Sequence, residues 1–238
     1  MGSHLNNTQT DIAEGTQQAL SDVSNADTMQ PTERVKWVYS ATSPNELAKR
    51  YDEWARTYES DLTNHFGRPD REPIADLLAD RVPTTGCILD AGVGTGVAGV
   101  WLAEMGYRDI TGFDNSAAML ELAQKKKVYR RLEQLTLGEP LSFPSASFDA
   151  TIAVGVFTHG HVPVSAMDEL IRVTRSGGHI LFTMLIDFYD QSDIRTALQN
   201  FVDKGLWQPE VVGEPYGNQV QSDDDHVILL RTHCYRVL

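Results

Sequence analysis

At 238 residues, 41% hydrophobic and 22% charged, the chain is long enough for one large α/β domain, and four Trp, eight Tyr and eight Phe supply a substantial core. Its net charge of −13, from 20 basic and 33 acidic side chains, argues against a nucleic-acid partner, because binding a phosphate backbone leans on clustered Lys and Arg. Cys87 and Cys234 lie far apart, with no CxxC or Cys/His cluster, so the sequence offers no metal site and reads as a cytoplasmic protein with reduced thiols.

Met1-Gly2-Ser3-His4 reads as a cloning scar, and residues 1–40 as a polar arm, disordered or loosely docked. No targeting segment is expected, and the longest apolar run, Ile180 to Ile186, is too short to span a bilayer. A single domain is expected over residues 43–238. Ser43-Pro44-Asn45-Glu46 reads as a capping box with proline at the first helical position. Behind it Leu47, Tyr51, Trp54, Ala55, Tyr58 and Leu62 recur at spacings of three and four, which puts them on one helix face. That stripe is either core or a lid over a ligand. A second helix is expected over Pro73 to Arg81.

From Cys87 strands and helices alternate in the doubly wound manner. Cys87 to Asp90 is a strand; a glycine loop and a helix stopped by Gly106 follow. Asp109 to Asp114 is the next strand, and Ser116 caps a helix that runs through Met119 and Ala123. The run Lys125-Lys126-Lys127, with Arg130-Arg131, falls at that helix's end, where cations favour the dipole. A weak strand is expected near Tyr129 to Leu135, a firm one over Asp149 to Gly155, a helix over Pro163 to Val173, and a strand over His179 to Met184. After a helix from Ile194 to Lys204, Trp207 to Val212 and His226 to Val237 read as an antiparallel pair that completes a seven-stranded sheet.

The glycine loop matches two patterns. Gly94-x-Gly96-x-x-Gly99 fits a dinucleotide fingerprint, and Asp114 meets its acidic partner's spacing of about 20 residues. Asp90-x-Gly92-x-Gly94-x-Gly96 fits a tighter loop with an acid just before it. The second is preferred: Asp90 and Gly92 already occupy the strand-ending turn, and the chain has one sheet and no room for a substrate domain. Gly99 then serves helix packing.

Asp90-Ala-Gly-Val-Gly-Thr-Gly96, Phe113-Asp-Asn-Ser-Ala-Ala-Met-Leu120, Ser147-Phe-Asp149 and Glu169-Leu-Ile-Arg-Val173 with Ser176-Gly-Gly178 together resemble the class I S-adenosylmethionine (SAM)-dependent methyltransferases. Tyr51-Asp-Glu-Trp-Ala-Arg-Thr-Tyr58 and Gly155-Val-Phe-Thr-His-Gly-His-Val162 are most similar to the Williams–Beuren-region methyltransferase-like proteins and their bacterial relatives.

The resemblance implies SAM as cofactor, a Rossmann-like sheet with its last strand antiparallel, and an N-terminal helical lid. It implies that Gly92, Gly94 and Gly96 admit the cofactor's amino-acid tail, that Asp90 holds the tail's ammonium indirectly or orders the loop, and that Asp114 accepts from the ribose hydroxyls. Asn115 and Met119 flank the adenine, with Thr136 and Leu137 where the family usually has an acidic reader of the adenine amino group. Tyr51, Tyr58 and Gly155 complete the cofactor side. Trp54, Phe157, Asp187 and Tyr216 are expected to shape the acceptor pocket, and His159 and His161, after the fourth strand, are the candidate bases. The loop lacks an Asn/Asp-Pro-Pro-Tyr/Phe tetrad, which favours a small-molecule acceptor, methylated on O, N or S by a monomer or homodimer. A protein or nucleic-acid methyltransferase recruiting through the arm, and a SAM-binding protein without turnover, are the alternatives.

Overall fold

The computed structural model describes residues 25–64, 73–158, 162–163, 165–191, 194–219 and 227–238. Five strands run parallel: β1 (Cys87–Ala91), β2 (Asp109–Asp114), β3 (Arg131–Gln134), β4 (Phe148–Phe157) and β5 (Thr174–Leu185). β8 (Val227–Val237) inserts antiparallel between β5 and β6 (Trp207–Val212), so the order is β3-β2-β1-β4-β5-β8-β6. This is the expected seven-strand path. A short β7 (Tyr216–Gln219) pairs with β8 as an eighth strand that the sequence reading missed.

Both faces of the sheet are covered, as a mainly parallel sheet requires. On one face α4 (Pro73–Ala79) and α5 (Val97–Glu104) pack Ile74, Leu78, Trp101 and Leu102 onto Ile88, Ile110 and Leu181. On the other, α7 (Ala166–Val173) and α9 (Ile194–Asp203) set Leu170, Val173, Leu198 and Phe201 against Ile180, Phe182 and Trp207. α6 (Ala117–Lys126) starts as expected, with the Ser116 hydroxyl accepting from the Met119 amide at 3.1 Å. The basic residues at its end are paired: Lys126 with Glu59 at 2.8 Å and Arg130 with Asp109 at 2.7 Å.

β5 begins earlier than the expected His179. Phe148 pairs with Thr174, then the register shifts so that Ala150 pairs with His179. The Arg175-Ser-Gly-Gly stretch is thus a bulge inside the strand rather than a loop before it; a Cβ on Gly178 would lie 2.7 Å from the Asp149 carbonyl oxygen. A six-residue helix, α8 (Ile186–Gln191), follows β5 without a capping signal and was also missed.

The reading of the arm up to residue 40 is corrected from Asn25 onward; residues 1–24 lie outside the described residues. Asn25–Thr28 forms α1 and Pro31–Tyr39 forms α2, and both pack on the 21-residue α3 (Pro44–Asn64) around Ala26, Val38, Leu47 and Trp54. A buried polar knot ties them together. Asp61 Oδ2 accepts from Arg34 Nη1 at 2.5 Å and from Trp54 Nε1 at 2.6 Å, and Arg34 Nε donates to the Ala26 carbonyl. Polar composition hid this, because the contacts that order α1 and α2 are two long-range ion pairs, Arg34–Asp61 and Arg56–Asp27, and a few apolar residues. Arg34→Ala leaves a buried carboxylate without its cation, a loss of about 3–5 kcal/mol; urea unfolding that matches wild type would show that these helices are not integral to the fold. The capping box is half formed. The Glu46 amide donates to Ser43 Oγ at 3.2 Å, but the Glu46 carboxylate turns to Thr42, taking its amide at 2.8 Å and its hydroxyl at 2.7 Å.

Among the described residues no helix is long and apolar enough to cross a membrane.

Candidate active site

The site lies at the carboxyl edge of β1 and β2, where an open α/β sheet offers its ligand crevice. The loop after β1 is held by the Gly92 and Val93 amides, which donate to the Phe113 carbonyl at 2.9 and 3.0 Å, and by the Gly94 amide, which donates to Asp114 Oδ2 at 2.8 Å. Gly92 sits at φ +77°, and a Cβ there would meet Val156 Cγ2 at 2.6 Å. Gly94, at φ +53°, has nothing within 4 Å of its would-be Cβ, so its backbone faces open space.

That space is a cleft with about 910 Å³ of empty volume, open to solvent. Its floor is the Gly92–Thr95 loop with Phe113 and Asp114, and its far wall is Val154, Gly155 and Val156. Its roof is α3, through Pro44, Leu47, Tyr51 and Tyr58. The roof is fastened down. Asp52 Oδ1 accepts from the Ser116 hydroxyl at 2.6 Å and the Ala118 amide at 3.0 Å, a carboxylate at the N-terminus of α6. Asn115 Nδ2 donates to the Pro44 carbonyl at 3.3 Å.

The methyltransferase-domain family model matches residues 89–182, which hold this loop, the Asp114 turn and the Gly155 wall. Methyltransferase-like protein 27 of Homo sapiens is 34% identical over 165 residues, covering 66% of each chain. The ubiquinone/menaquinone biosynthesis C-methyltransferase UbiE of Zymomonas mobilis is 41% identical over 96 residues, 38% of this chain and 39% of that protein. The chain thus spans about two thirds of the human relative's length and about two fifths of the bacterial one's. The chain belongs to the class I SAM-dependent methyltransferases. Among solved structures, the [4+2]-cyclase SpnF shares the fold, with a TM-score of 0.63 at 16% identity over 83% of this chain and 97% of that one.

Of the residues expected on the cofactor side of this methyltransferase, Tyr51, Tyr58, Gly92, Gly94, Asp114, Asn115, Met119, Thr136, Leu137 and Gly155 all line the cleft. The cleft fits SAM: bare backbone at Gly94 for the tail, a carboxylate at Asp114 for the ribose, and apolar Met119, Leu135 and Leu137 for the adenine. Burial pushes the Asp114 carboxyl above its ordinary range, against the amides of Ser116, Gly94 and Asn115, which hold it down.

Asp90 and Gly96, expected on the cofactor side, do not line the cleft. Asp90 is 1% exposed and does not reach the cleft; its Oδ2 accepts from the Tyr129 hydroxyl at 2.6 Å. Of its two expected roles, ordering the loop is the one this contact supports. Gly96 faces α6 and Tyr129, its would-be Cβ 2.9 Å from Ala123 Cα. Gly99 is packed as expected: a Cβ there would lie 2.4 Å from the Tyr129 ring. Tyr129, half-buried beneath the loop, therefore explains two glycines and the role of Asp90. Tyr129→Phe should cost about 1.5–3 kcal/mol by removing a hydrogen bond to a buried carboxylate; an unchanged urea midpoint would show that the pair contributes nothing.

The acceptor-side expectations fare worse. Trp54 is 3% exposed in the α1–α3 cluster, and Phe157 is 2% exposed in the main core, so neither lines the cleft. Tyr216 sits on β7, its hydroxyl 3.5 Å from Thr232 Oγ1, away from the cleft. Asp187 is exposed at the start of α8 and accepts from the Phe188 amide at 2.8 Å. His159 and His161 lie outside the described residues. What sequence reasoning missed is Tyr39. Its hydroxyl bonds Thr158, just after β4, and it lies within electrostatic reach of Tyr58 and Asp187; burial first, then Tyr58, pushes it up to about 12. Nothing in a polar arm signalled that its last helical residue reaches the β4 edge.

Proposed function

We propose that this methyltransferase transfers a methyl group from SAM to an O, N or S atom of a small-molecule metabolite. The observation that carries the reading is the roofed cleft: α3 closes over the cofactor side through Asp52 and Asn115. Such an enclosure suits a compact acceptor better than a polymer, and the −13 charge disfavours nucleic acid. The quinone-biosynthesis C-methyltransferase among the relatives is named for a small-molecule product, which supports the acceptor class and not the choice of O, N or S.

SAM supplies a methyl already activated on a sulfonium, so the protein's work is largely alignment and exclusion of water. Gly94 and Asp114 fix the donor end. Tyr51 and Tyr58 roof it, and Tyr39 with Thr158 bounds the acceptor. His159 or His161 takes up the proton that a protonated or hydroxyl acceptor releases.

The reading is tested by incubating the protein with methyl-labelled SAM and fractionated host extract. Label in the low-molecular-weight fraction is expected; label confined to protein or nucleic acid would overturn it. Trimming residues 1–40 does not discriminate, because Arg34 and Tyr39 belong to the fold and the acceptor wall.

The fold alone does not dictate methyl transfer, since a [4+2]-cyclase has it. Turnover with any acceptor eliminates the reading of a SAM-binding protein without activity.

A further inference from the structure

Three buried side-chain nitrogens on one face of β8 have no hydrogen-bond partner: Nε of Arg231 and both ring nitrogens of His233. His233 is 1% exposed. Orphaned buried polar atoms are rare and each costs about 1–3 kcal/mol, so three in one place call for something that satisfies them. Arg231 is a partly buried arginine with neither a carboxylate nor a carbonyl partner among the described residues, in a protein with 33 acidic side chains. Arg34, Arg50, Arg81 and Arg172, also at least partly buried, each have one.

The place is informative too. Arg231 pairs with Met184 and His233 with Phe182, while Leu230 meets Leu185, the last residue of β5. Arg231 therefore stands at the carboxyl edge of the sheet, the edge that holds the cofactor cleft, on the face where α8 leaves β5. Around His233 the neighbours are aromatic. The His233 ring stacks on Phe182 at 5.0 Å and 9°, and Tyr189 of α8 lies 5.5 Å away. Burial, then the neighbouring Arg231 charge, holds the imidazole down at about 4, so it is neutral at physiological pH. A neutral imidazole offers one N–H and one acceptor; the guanidinium offers planar donors and a single positive charge.

We propose that Arg231 and His233 form an anion subsite that binds the carboxylate of a planar, aromatic or conjugated acceptor. This rests on the small-molecule methyltransferase reading and names the class of acceptor. One positive charge matches a monocarboxylate, and the Tyr189 ring beside His233 matches its flat body.

The test is benzoate titration followed through the arginine Nε–H resonances, with and without S-adenosylhomocysteine. The resonance absent from Arg231→Met should move and saturate in wild type. Benzoate affinity should fall about ten- to a hundredfold in Arg231→Met. His233→Phe, which keeps the stack and removes both nitrogens, should also weaken it, and Arg231→Lys should rescue only part. Arg236→Met, an exposed change further along β8, should leave it unaltered. A static Arg231 resonance, equal affinity in Arg231→Met, or a response to inorganic phosphate but not benzoate would overturn the assignment. S-adenosylhomocysteine binding reports separately: its retention while benzoate fails sinks the subsite alone, and its loss sinks the methyltransferase reading.

Discussion

Asp114→Ala should weaken SAM binding ten- to a hundredfold while the protein stays folded. The carboxylate ends β2 at the floor of the cleft, and its two oxygens already accept from the Gly94 amide at 2.8 Å and the Ser116 amide at 2.9 Å. Those bonds fix its position and leave lone pairs for the ribose hydroxyls. A charge-assisted bond of this kind contributes about 1.5–3 kcal/mol, which is the stated range of affinity. The substitution also frees the Gly94 amide, so the loop loses an anchor along with the ligand contact. Titration calorimetry on the variant checks both. Unchanged SAM affinity would mean that the ribose is held elsewhere, and the alignment of this turn with the family motif would fall.

The second large effect concerns turnover. Replacing the base histidine, His159 in preference to His161, by Ala should lower the rate about a hundredfold or more when the acceptor must lose a proton. Cofactor affinity should barely change, because the role proposed for these histidines is toward the acceptor and not toward SAM. A protonated imidazole cannot accept a proton, so the wild-type rate should fall as pH drops through about 6.5, the unperturbed histidine value. His159 is preferred because it follows directly on Thr158 and so lies nearer the end of β4. Near-normal rates in both single variants at saturating acceptor would reduce catalysis to alignment.

The sheet was legible because its signals are local. A β-period run ending in Asp90-x-Gly-x-Gly, and Ser116 as a cap, each declare themselves within a few residues, and the order of strands follows from their alternation with helices. Cleft-lining residues were legible for the same reason: Gly92, Gly94, Asp114, Asn115 and Met119 belong to two short motifs at strand ends. The lid stripe split. Tyr51 and Tyr58 roof the cleft, whereas Trp54, one turn from each, turns into the α1–α3 core and donates to Asp61. Helical spacing assigns a face but not what that face meets.

The rest depends on contacts far apart in sequence. Asp90 precedes the glycines and could serve the ligand or the loop, and the Tyr129 hydroxyl, 39 residues on, is the contact that supports the second. Phe157, in the strand that carries the cleft wall, points into the core beside Phe182. α1 and α2 were read as a loose arm because no periodicity or apolar run marks them; Arg34 and Tyr39 matter only once Asp61 and Thr158 are placed beside them. The departure from the family pattern at Thr136 lies on the cleft. Thr136 lines the cleft where an acid is usual, and a side pocket next to it brings Asn45, Gln134 and Glu139 to the same end.

The central claim is that Asp90-Ala-Gly-Val-Gly-Thr-Gly96 builds a SAM site rather than a dinucleotide site, although Gly94, Gly96, Gly99 and Asp114 match both patterns. Isothermal titration of the full chain with SAM, S-adenosylhomocysteine, NAD and FAD decides it. Micromolar binding of the first two with no heat from NAD or FAD is the predicted result. Tight NAD binding with no heat from SAM would contradict it.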